Sequence, residues 1–152
     1  MTGTASQLNR PGAGAQVAMS STVLDLLSTA NGTAVDLPGM TFTAADAGLY
    51  EVVGVIRGRV ICTNVTGAWV TGLLVRGDTG AVLGRTMAAH ASVPVPPGSV
   101  REDSPGTVTW AGQLPAGVTV KAQAFRQGAP STECAVLSDA NGFTHMSWAR
   151  IG

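Results

Sequence analysis

The last third of the chain, residues 106–152, constrains the fold more than any other part. Four short runs that fit β-strands follow one another there, separated by clusters of Gly, Pro, Asn and Asp. The runs are GTVTWAG from Gly106, VTVKAQAFR from Val118, TECAVL from Thr132 and FTHMSWARIG from Phe143. Short alternating runs with frequent turn signals are typical of β-sandwiches and barrels. We therefore expect an all-β fold in which the final run is a strand inside a sheet.

The middle of the chain shows the same kind of pattern. The run LYEVVGVIRGRVIC is rich in β-branched residues, which favour strands, and its Gly54 and Gly58 predict a bulge or a sharp bend. The Gly-Asp-Thr-Gly sequence at 77–80 lies between two apolar runs and predicts a hairpin. The proline-rich stretch 92–105 predicts a long surface connection between sheets, because proline donates no hydrogen bond to a neighbouring strand.

The N-terminal residues differ in composition from the rest. Residues 1–20 are rich in Gly, Ala, Ser, Gln and Pro without periodicity, which is typical of an arm or linker. Residues 20–28 (SSTVLDLLS) fit either a helical turn or a first strand. The sequence therefore predicts an N-terminal arm or anchor over residues 1–30 and a β-sandwich domain over residues 31–152.

The composition favours a protein that buries much of its outside. Charged residues make up only 12% of the chain, about half of the usual share, and nine basic residues balance nine acidic ones. A surface so poor in charge suits contact with further copies or with a larger assembly, although a compositional bias of the source genome would also produce it. The zero net charge gives no sign of a nucleic-acid partner. No apolar run is long enough for a transmembrane helix, and the N-terminus lacks the apolar stretch of a secretion signal.

Alternation along the late strands sorts their faces. Val118, Val120, Ala122 and Ala124 share one side of their run and predict core, as do Val108 and Trp110 in the preceding run. Three large apolar residues are left on other faces, and we predict that they lie at a subunit interface: Phe125, Met146 and Trp148. For Phe125, cover by a loop is the alternative. Both sides of the last strand carry large apolar groups, since Phe143 and Ile151 oppose Met146 and Trp148, and this predicts a strand buried on both faces.

Several of these motifs resemble a known family. Val35-Asp36-Leu37-Pro38 precedes Gly48-Leu49-Tyr50-Glu51-Val52, and Leu114-Pro115-Ala116-Gly117-Val118-Thr119-Val120 comes before the closing run. Over residues 33–152 this order resembles the jelly-roll heads of the tumour necrosis factor and complement-component-like superfamily. It also resembles bacteriophage virion proteins that use such heads for capsid decoration, head fibres or tail-fibre tips. One departure is Val118, where the family's late strand usually has an acidic residue.

The resemblance implies an antiparallel jelly-roll sandwich of about 8–10 strands that forms a homotrimer packed through one sheet. It also implies a phage capsid decoration or minor capsid protein, located on the virion after synthesis in the host cytoplasm. The arm over residues 1–30 would then bind the major capsid protein or another virion protein. The alternative is the receptor-binding or adhesion head of a tail or head fibre. Neither function involves a membrane or nucleic acid.

The residues offer no recognisable catalytic set, so we expect a protein that is not an enzyme and has no cofactor, catalytic or metal site. His90 and His145 lack a zinc-ligand spacing, and neither a nucleophile elbow nor a phosphate-binding loop occurs. Cys62 and Cys134 predict two buried thiols, with a single bridge between them as the alternative. The integrin-type tripeptide at 76–78 lies at a hairpin tip, where Gly-Asp is ordinary turn sequence.

Overall fold

A computed structural model describes residues 14–63, 67–92, 98–128 and 131–152, and within these ranges the chain forms ten strands and no helix. The described residues thus contain no helix that could span a membrane. The strands are β1 Ala15–Ala18, β2 Val23–Asp25, β3 Val35–Thr43, β4 Gly48–Cys62, β5 Ala68–Arg76, β6 Val82–Ala91, β7 Val100–Leu114, β8 Thr119–Gly128, β9 Ser131–Leu137 and β10 His145–Arg150.

The strands form two sheets that pack face to face. In sheet A, β4 pairs with β7 along one edge and with β10 and then β9 along the other. Strands β1 and β2 extend sheet A beyond β10 and β9. Sheet B has the order β3-β8-β5-β6, and the strand pairs of both sheets are antiparallel. The fold is therefore an antiparallel β-sandwich of the jelly-roll type with the predicted number of strands.

The core lies between the sheets and follows the alternation of the strands. Even-numbered residues of β4 point inward and odd-numbered ones outward, so that Val52, Ile56 and Val60 are fully buried. In β8, Val120 and Ala122 are fully buried, and their side of the run is the core side, as predicted. The predicted closing strand is also confirmed, because β10 lies inside sheet A between β1 and β4.

Gly54 and Gly58 introduce no bulge into the pairing of β4 with β7, contrary to one of the two predicted effects. The pairing of β4 with β7 continues without a register shift through all fifteen pairs from Gly48 to Cys62. Both glycines point inward, where the opposite sheet approaches closely. A Cβ atom on Gly54 would lie 3.3 Å from Leu74, and one on Gly58 would lie 3.0 Å from Ala88. The two glycines are therefore explained by the narrow space between the sheets and not by a special backbone conformation.

The predicted connection over residues 92–105 is wrong in its second half. Residues 100–105 belong to β7, which pairs with β4 along its whole length, while residues 93–97 lie outside the described residues. Pro105 is tolerated because β4 is the one strand that pairs with β7 among the described residues, so that the missing N–H removes no bond to a second described strand. The hairpin at 77–80 is confirmed by hydrogen bonds from Arg76 N to Ala81 O at 2.9 Å and from Gly80 N to Arg76 O at 2.8 Å.

The predicted arm over residues 1–30 also needs correction, because residues 14–30 are part of the sandwich. Strand β1 pairs with β10, and β2 pairs with β9. Leu26 is fully buried and its N–H donates to Cys134 O at 2.8 Å, and Met19 is buried as well. Apolar anchors thus hold this segment on the domain despite its weak periodicity. Residues 1–13 lie outside the described residues.

Candidate interaction surfaces

Sheet A presents a broad and nearly uncharged surface to the outside. Its middle combines the outward residues of the first half of β4 with their neighbours on β7 and β10. We call this surface the neutral face, and it consists of Glu51, Val53, Val55, Thr107, Thr109, Ala111, His145, Ser147 and Ala149. Only Glu51 among them is charged. Another protein could cover this face at a small desolvation cost, because few charged groups would lose water.

A shallow depression of about 330 Å³ lies on the neutral face next to β1. Its polar lining comes from Gln16, Glu51 and Ser147, and Val53 and Ala149 supply apolar surface. The short side chains of Ser147 and Ala149 on β10 leave this space open between β1 and β4. The depression gives the neutral face a concave relief into which a convex element could fit.

The other end of the outer surface of sheet A holds a network of ion pairs. The Nε and Nη2 atoms of Arg59 lie 2.7 and 3.1 Å from the carboxylate oxygens of Asp103, and Arg101 Nη2 lies 2.9 Å from the same carboxylate. Glu133 accepts from Arg59 Nη1 at 3.4 Å. The hydrogen bonds from Arg59, with help from Arg101 and against partial burial, lower the pKa of Asp103 from 3.8 to about 2. Opposite charges thus neutralise one another at this end.

The outer surface of sheet B is more apolar than a solvated sheet surface usually is. We call it the apolar face, and its apolar residues are Trp69, Leu73 and Val75 on β5, Val82 and Met87 on β6, and Phe125 on β8. The outward residues of β5 are already covered by their neighbours, since Leu73 and Val75 are buried. Met87 and Val82 are 56% and 48% exposed, so the β6 side of this face is open to solvent.

Charged groups lie at the two margins of the apolar face. At the β3 margin, Asp36 accepts from Gln123 Nε2 at 2.6 Å and from Lys121 Nζ at 3.0 Å. The hydrogen bond from Gln123, followed by the contacts of Lys121, lowers the pKa of Asp36 despite some burial. At the β6 margin Arg85 is exposed and forms no ion pair with any residue that the structure describes. The face therefore combines apolar residues on β5 with the polar Lys121 and Gln123 on β8, and it carries Asp36 and Arg85 at its two edges.

The three residues predicted at an interface fall into different environments. Phe125 lies half-buried on the apolar face, where it pairs across the sheet with Thr71. Met146 is fully buried between the sheets, so it belongs to the core and not to an interface. Trp148 also points inward and stacks on Phe42 of the opposite sheet, with ring centroids 4.6 Å apart. Trp148 is only partly buried and also lines the depression on the neutral face, so a role of Phe125 or Trp148 at an interface stays a prediction.

Met146 and Trp148 were misplaced because the last strand is shorter than its apolar run. Phe143 precedes β10 and is 61% exposed, and Ile151 follows it, so neither residue occupies the outward side of the strand. The outward residues of β10 are His145, Ser147 and Ala149, which are polar or small. The prediction of a strand with large apolar groups on both faces is therefore wrong. The small outward residues were the signal that would have located the neutral face.

The potential metal ligands of the described residues lie apart from one another. In the ranges that the structure covers, no three His, Cys, Asp or Glu side chains are placed to hold a metal ion. His90 lies on sheet B beside Trp69, with ring centroids 5.9 Å apart, whereas His145 lies on sheet A. The Cys62 and Cys134 thiols are buried and not joined by a disulfide, and burial raises the pKa of the Cys134 thiol to about 11.

The turn motifs also have ordinary structural roles. The two charges of the tripeptide at 76–78 face each other, since Arg76 Nε and Nη2 lie 2.7 and 3.0 Å from the Asp78 carboxylate. Asp139 accepts from Asn141 N at 2.9 Å and pairs with Arg57, which fastens the turn to β4. These contacts lower the pKa of Asp139. The charged side chains of both turns are therefore paired within the molecule.

Taken together, the strand order and the two faces define a jelly-roll β-sandwich with two wide, weakly charged outer surfaces. No protein-family model and no curated protein matches the chain. Among solved structures, Eiger TNF from S. frugiperda is similar to it, with a TM-score of 0.44 and 11% sequence identity. The match covers 93% of this chain and 88% of the Eiger chain. A likeness this weak carries no argument about this chain.

Proposed function

We propose that this chain is a non-enzymatic structural protein of a bacteriophage particle, which decorates the capsid surface as a homotrimer. The observation that supports this most is the neutral face. A sheet surface with one carboxylate among nine outward residues suits permanent burial against protein better than permanent contact with water. The phage setting comes from the sequence motifs that resemble virion jelly-roll heads.

The neutral face is the surface that we assign to the trimer contact. A closed ring of identical subunits joins two different patches, one concave and one convex, at each contact. The depression beside Gln16 and Glu51 supplies the concave patch on sheet A. The threonines and alanines around it allow close approach because their side chains are short. In a phage particle, the trimer would clamp neighbouring capsid subunits by contacts of matching shape.

Attachment to the shell is assigned to the arm predicted over residues 1–30, of which residues 14–30 pair with the sandwich and residues 1–13 lie outside the described residues. Its partner would be the major capsid protein or another virion protein. A segment that orders on a preformed surface gains contact area at an entropic cost. The protein would reach the virion after synthesis in the host cytoplasm, and its function requires neither a cofactor, a membrane nor nucleic acid.

Deletion of residues 1–13 tests this assignment. We expect the truncated protein to keep its folded sandwich and its trimer mass but to lose co-sedimentation with capsids that lack the decoration protein. A matched control is the full-length Arg76→Ala variant, which alters the exposed hairpin tip and should still bind. Full binding by the truncated protein would contradict the anchor. A copy number of a handful per particle would contradict the capsid role.

The alternative function is the receptor-binding or adhesion head of a tail or head fibre. The depression on sheet A favours it, since Gln16, Glu51 and Ser147 offer the hydrogen-bonding groups that a sugar requires. Glycan-array binding by the isolated protein, abolished by Glu51→Ala, would support this function. A low copy number at the tail would support it as well.

A further inference from the structure

The apolar face of sheet B is left without a cover by the trimer contact assigned to sheet A. Met87 and Val82 expose about half of their surfaces there. Met87 is opposite Thr71, which pairs with Phe125 on its other side, and Val82 is opposite Val75. We propose that a second copy of this chain covers it, so that two apolar faces pack against each other around a two-fold axis that runs parallel to the strands. This contact goes beyond the proposed function and does not depend on the phage setting.

The register of sheet B makes the face complementary to itself. Arg85, Leu73, Gln123 and Asp36 form one row across the four strands, because Leu73 is opposite both Arg85 and Gln123, and Gln123 is opposite Asp36. Three strand spacings separate the ends of the row by about 14 Å. A two-fold axis between β5 and β8 reverses this row in the second copy. Arg85 of each copy then faces Asp36 of the other.

The charges at the ends of the row suit this arrangement. Arg85 is the cation of the face that has no ion pair with the described residues. Asp36 already accepts from Lys121 and Gln123, but a carboxylate has room for a further cation. The same molecule gives an example, since Asp103 binds Arg59 and Arg101 together. The two-fold contact thus gives Arg85 an ion-pair partner. At each end of the row, one carboxylate then accepts from two cations, as Asp103 does.

The neighbouring rows place compatible groups opposite one another. Phe125 of one copy comes to lie over Thr71 of the other, because the two residues are partners across β8 and β5. Val75 similarly lies over the aliphatic part of Lys121. With strand spacing and rise taken as usual, the four strands and their marginal side chains bury roughly 600–800 Å² per copy, close to a standard stable interface. Aligned packing of two sheets also tolerates their natural twist.

A charge-swap series measured by sedimentation velocity on the full chain tests the contact. Arg85→Glu places two carboxylates opposite each other, and Asp36→Arg places two guanidinium groups there. Because like charges would meet twice in each dimer, we expect either single variant to weaken the association roughly 100-fold or more. The double variant Arg85→Glu/Asp36→Arg restores opposite charges, and we expect it to recover the wild-type mass.

The controls separate this contact from the trimer. Arg150→Glu changes an exposed arginine on sheet A and should leave the mass unchanged. Met87→Ser should weaken the association, whereas the matched change Phe143→Ser, at an exposed residue outside the apolar face, should leave the mass unchanged. If the trimer exists, the single swaps convert hexamers to trimers; if it does not, they convert dimers to monomers. Halving of the mass therefore tests the two-fold contact alone. Single variants with the wild-type mass, or a double variant that stays dissociated, would overturn the proposal.

Discussion

At the scale of single residues, Gly106 shows how closely the two sheets meet along one side of the sandwich. A Cβ atom at this buried position would lie 2.5 Å from the carbonyl oxygen of Met87, which is rigid strand backbone. Beside it, Ser104 Oγ donates to Ala88 O at 2.6 Å and joins β7 of one sheet to β6 of the other. Glycine is therefore required here by space, because its φ lies in the ordinary range.

Replacement of Gly106 by alanine should force these two edges apart. We expect Gly106→Ala to lower the free energy of unfolding by about 1–3 kcal/mol, the usual cost of an overpacked interior. Gly98→Ala is the matched control, because a Cβ atom there meets nothing within 4 Å among the described residues. It should leave stability unchanged or raise it by up to about 1 kcal/mol. Urea denaturation measures both, and equal midpoints for the two variants would contradict the close approach.

Asp103 predicts how stability depends on acid. Its native pKa of about 2 lies below the ordinary value of 3.8, so its ion pairs stabilise the fold above about pH 4 and are lost as pH falls toward 2. Because the site is partly exposed, we expect Asp103→Asn to cost about 1 kcal/mol at neutral pH. Denaturation across pH 2–7 checks this. The difference between variant and wild type should vanish near pH 2, and a constant difference would contradict the linkage.

At the scale of elements, β2 and the turn after it decide where the domain begins. Leu26 is fully buried next to β9, so Leu26→Ala should lower the free energy of unfolding by about 2–5 kcal/mol. Leu27 is only half-buried, and Leu27→Ala serves as a control of the same chemistry with a smaller effect. Thermal unfolding distinguishes them. If the Leu26→Ala variant were as stable as the wild type, Leu26 would not anchor residues 14–30 to the sandwich, and these residues would belong to the predicted arm.

The sequence predicted those elements whose pattern is local. The alternation of 118–124 located the core side of β8, and Gly-Asp-Thr-Gly located the hairpin, because strand faces and tight turns depend on neighbouring residues alone. The strand over residues 100–105 was missed because a proline is acceptable only where a strand has one neighbour, and that depends on the whole sheet. Met146 was misplaced for a similar reason, since which face of β10 is inward depends on its register with β4.

At the scale of the whole molecule, the distribution of charge is as informative as the fold. Most ion pairs collect at the end of sheet A around Arg59 and Asp103, at the hairpin tip and at the β3 margin of sheet B. The neutral and apolar faces lie between them on opposite sides of the sandwich. The low overall charge of the chain is thus concentrated in two weakly charged surfaces, which neighbouring subunits would cover under the proposed function. The composition predicted a protein that buries much of its outside, but it did not indicate which surfaces are poor in charge.

A charge in the middle of the neutral face tests the trimer contact most directly. Thr109 is exposed there on β7, opposite Val53 of β4, and Thr109→Arg would bury a guanidinium without a partner in the assembled ring. We expect the variant to fold normally but to lose the threefold mass in light scattering. Thr79→Arg, at the exposed hairpin tip, makes the same chemical change away from both faces and should keep the wild-type mass. If Thr109→Arg also keeps that mass, the trimer does not use sheet A. If Thr79→Arg loses it, the effect comes from added charge and not from the neutral face.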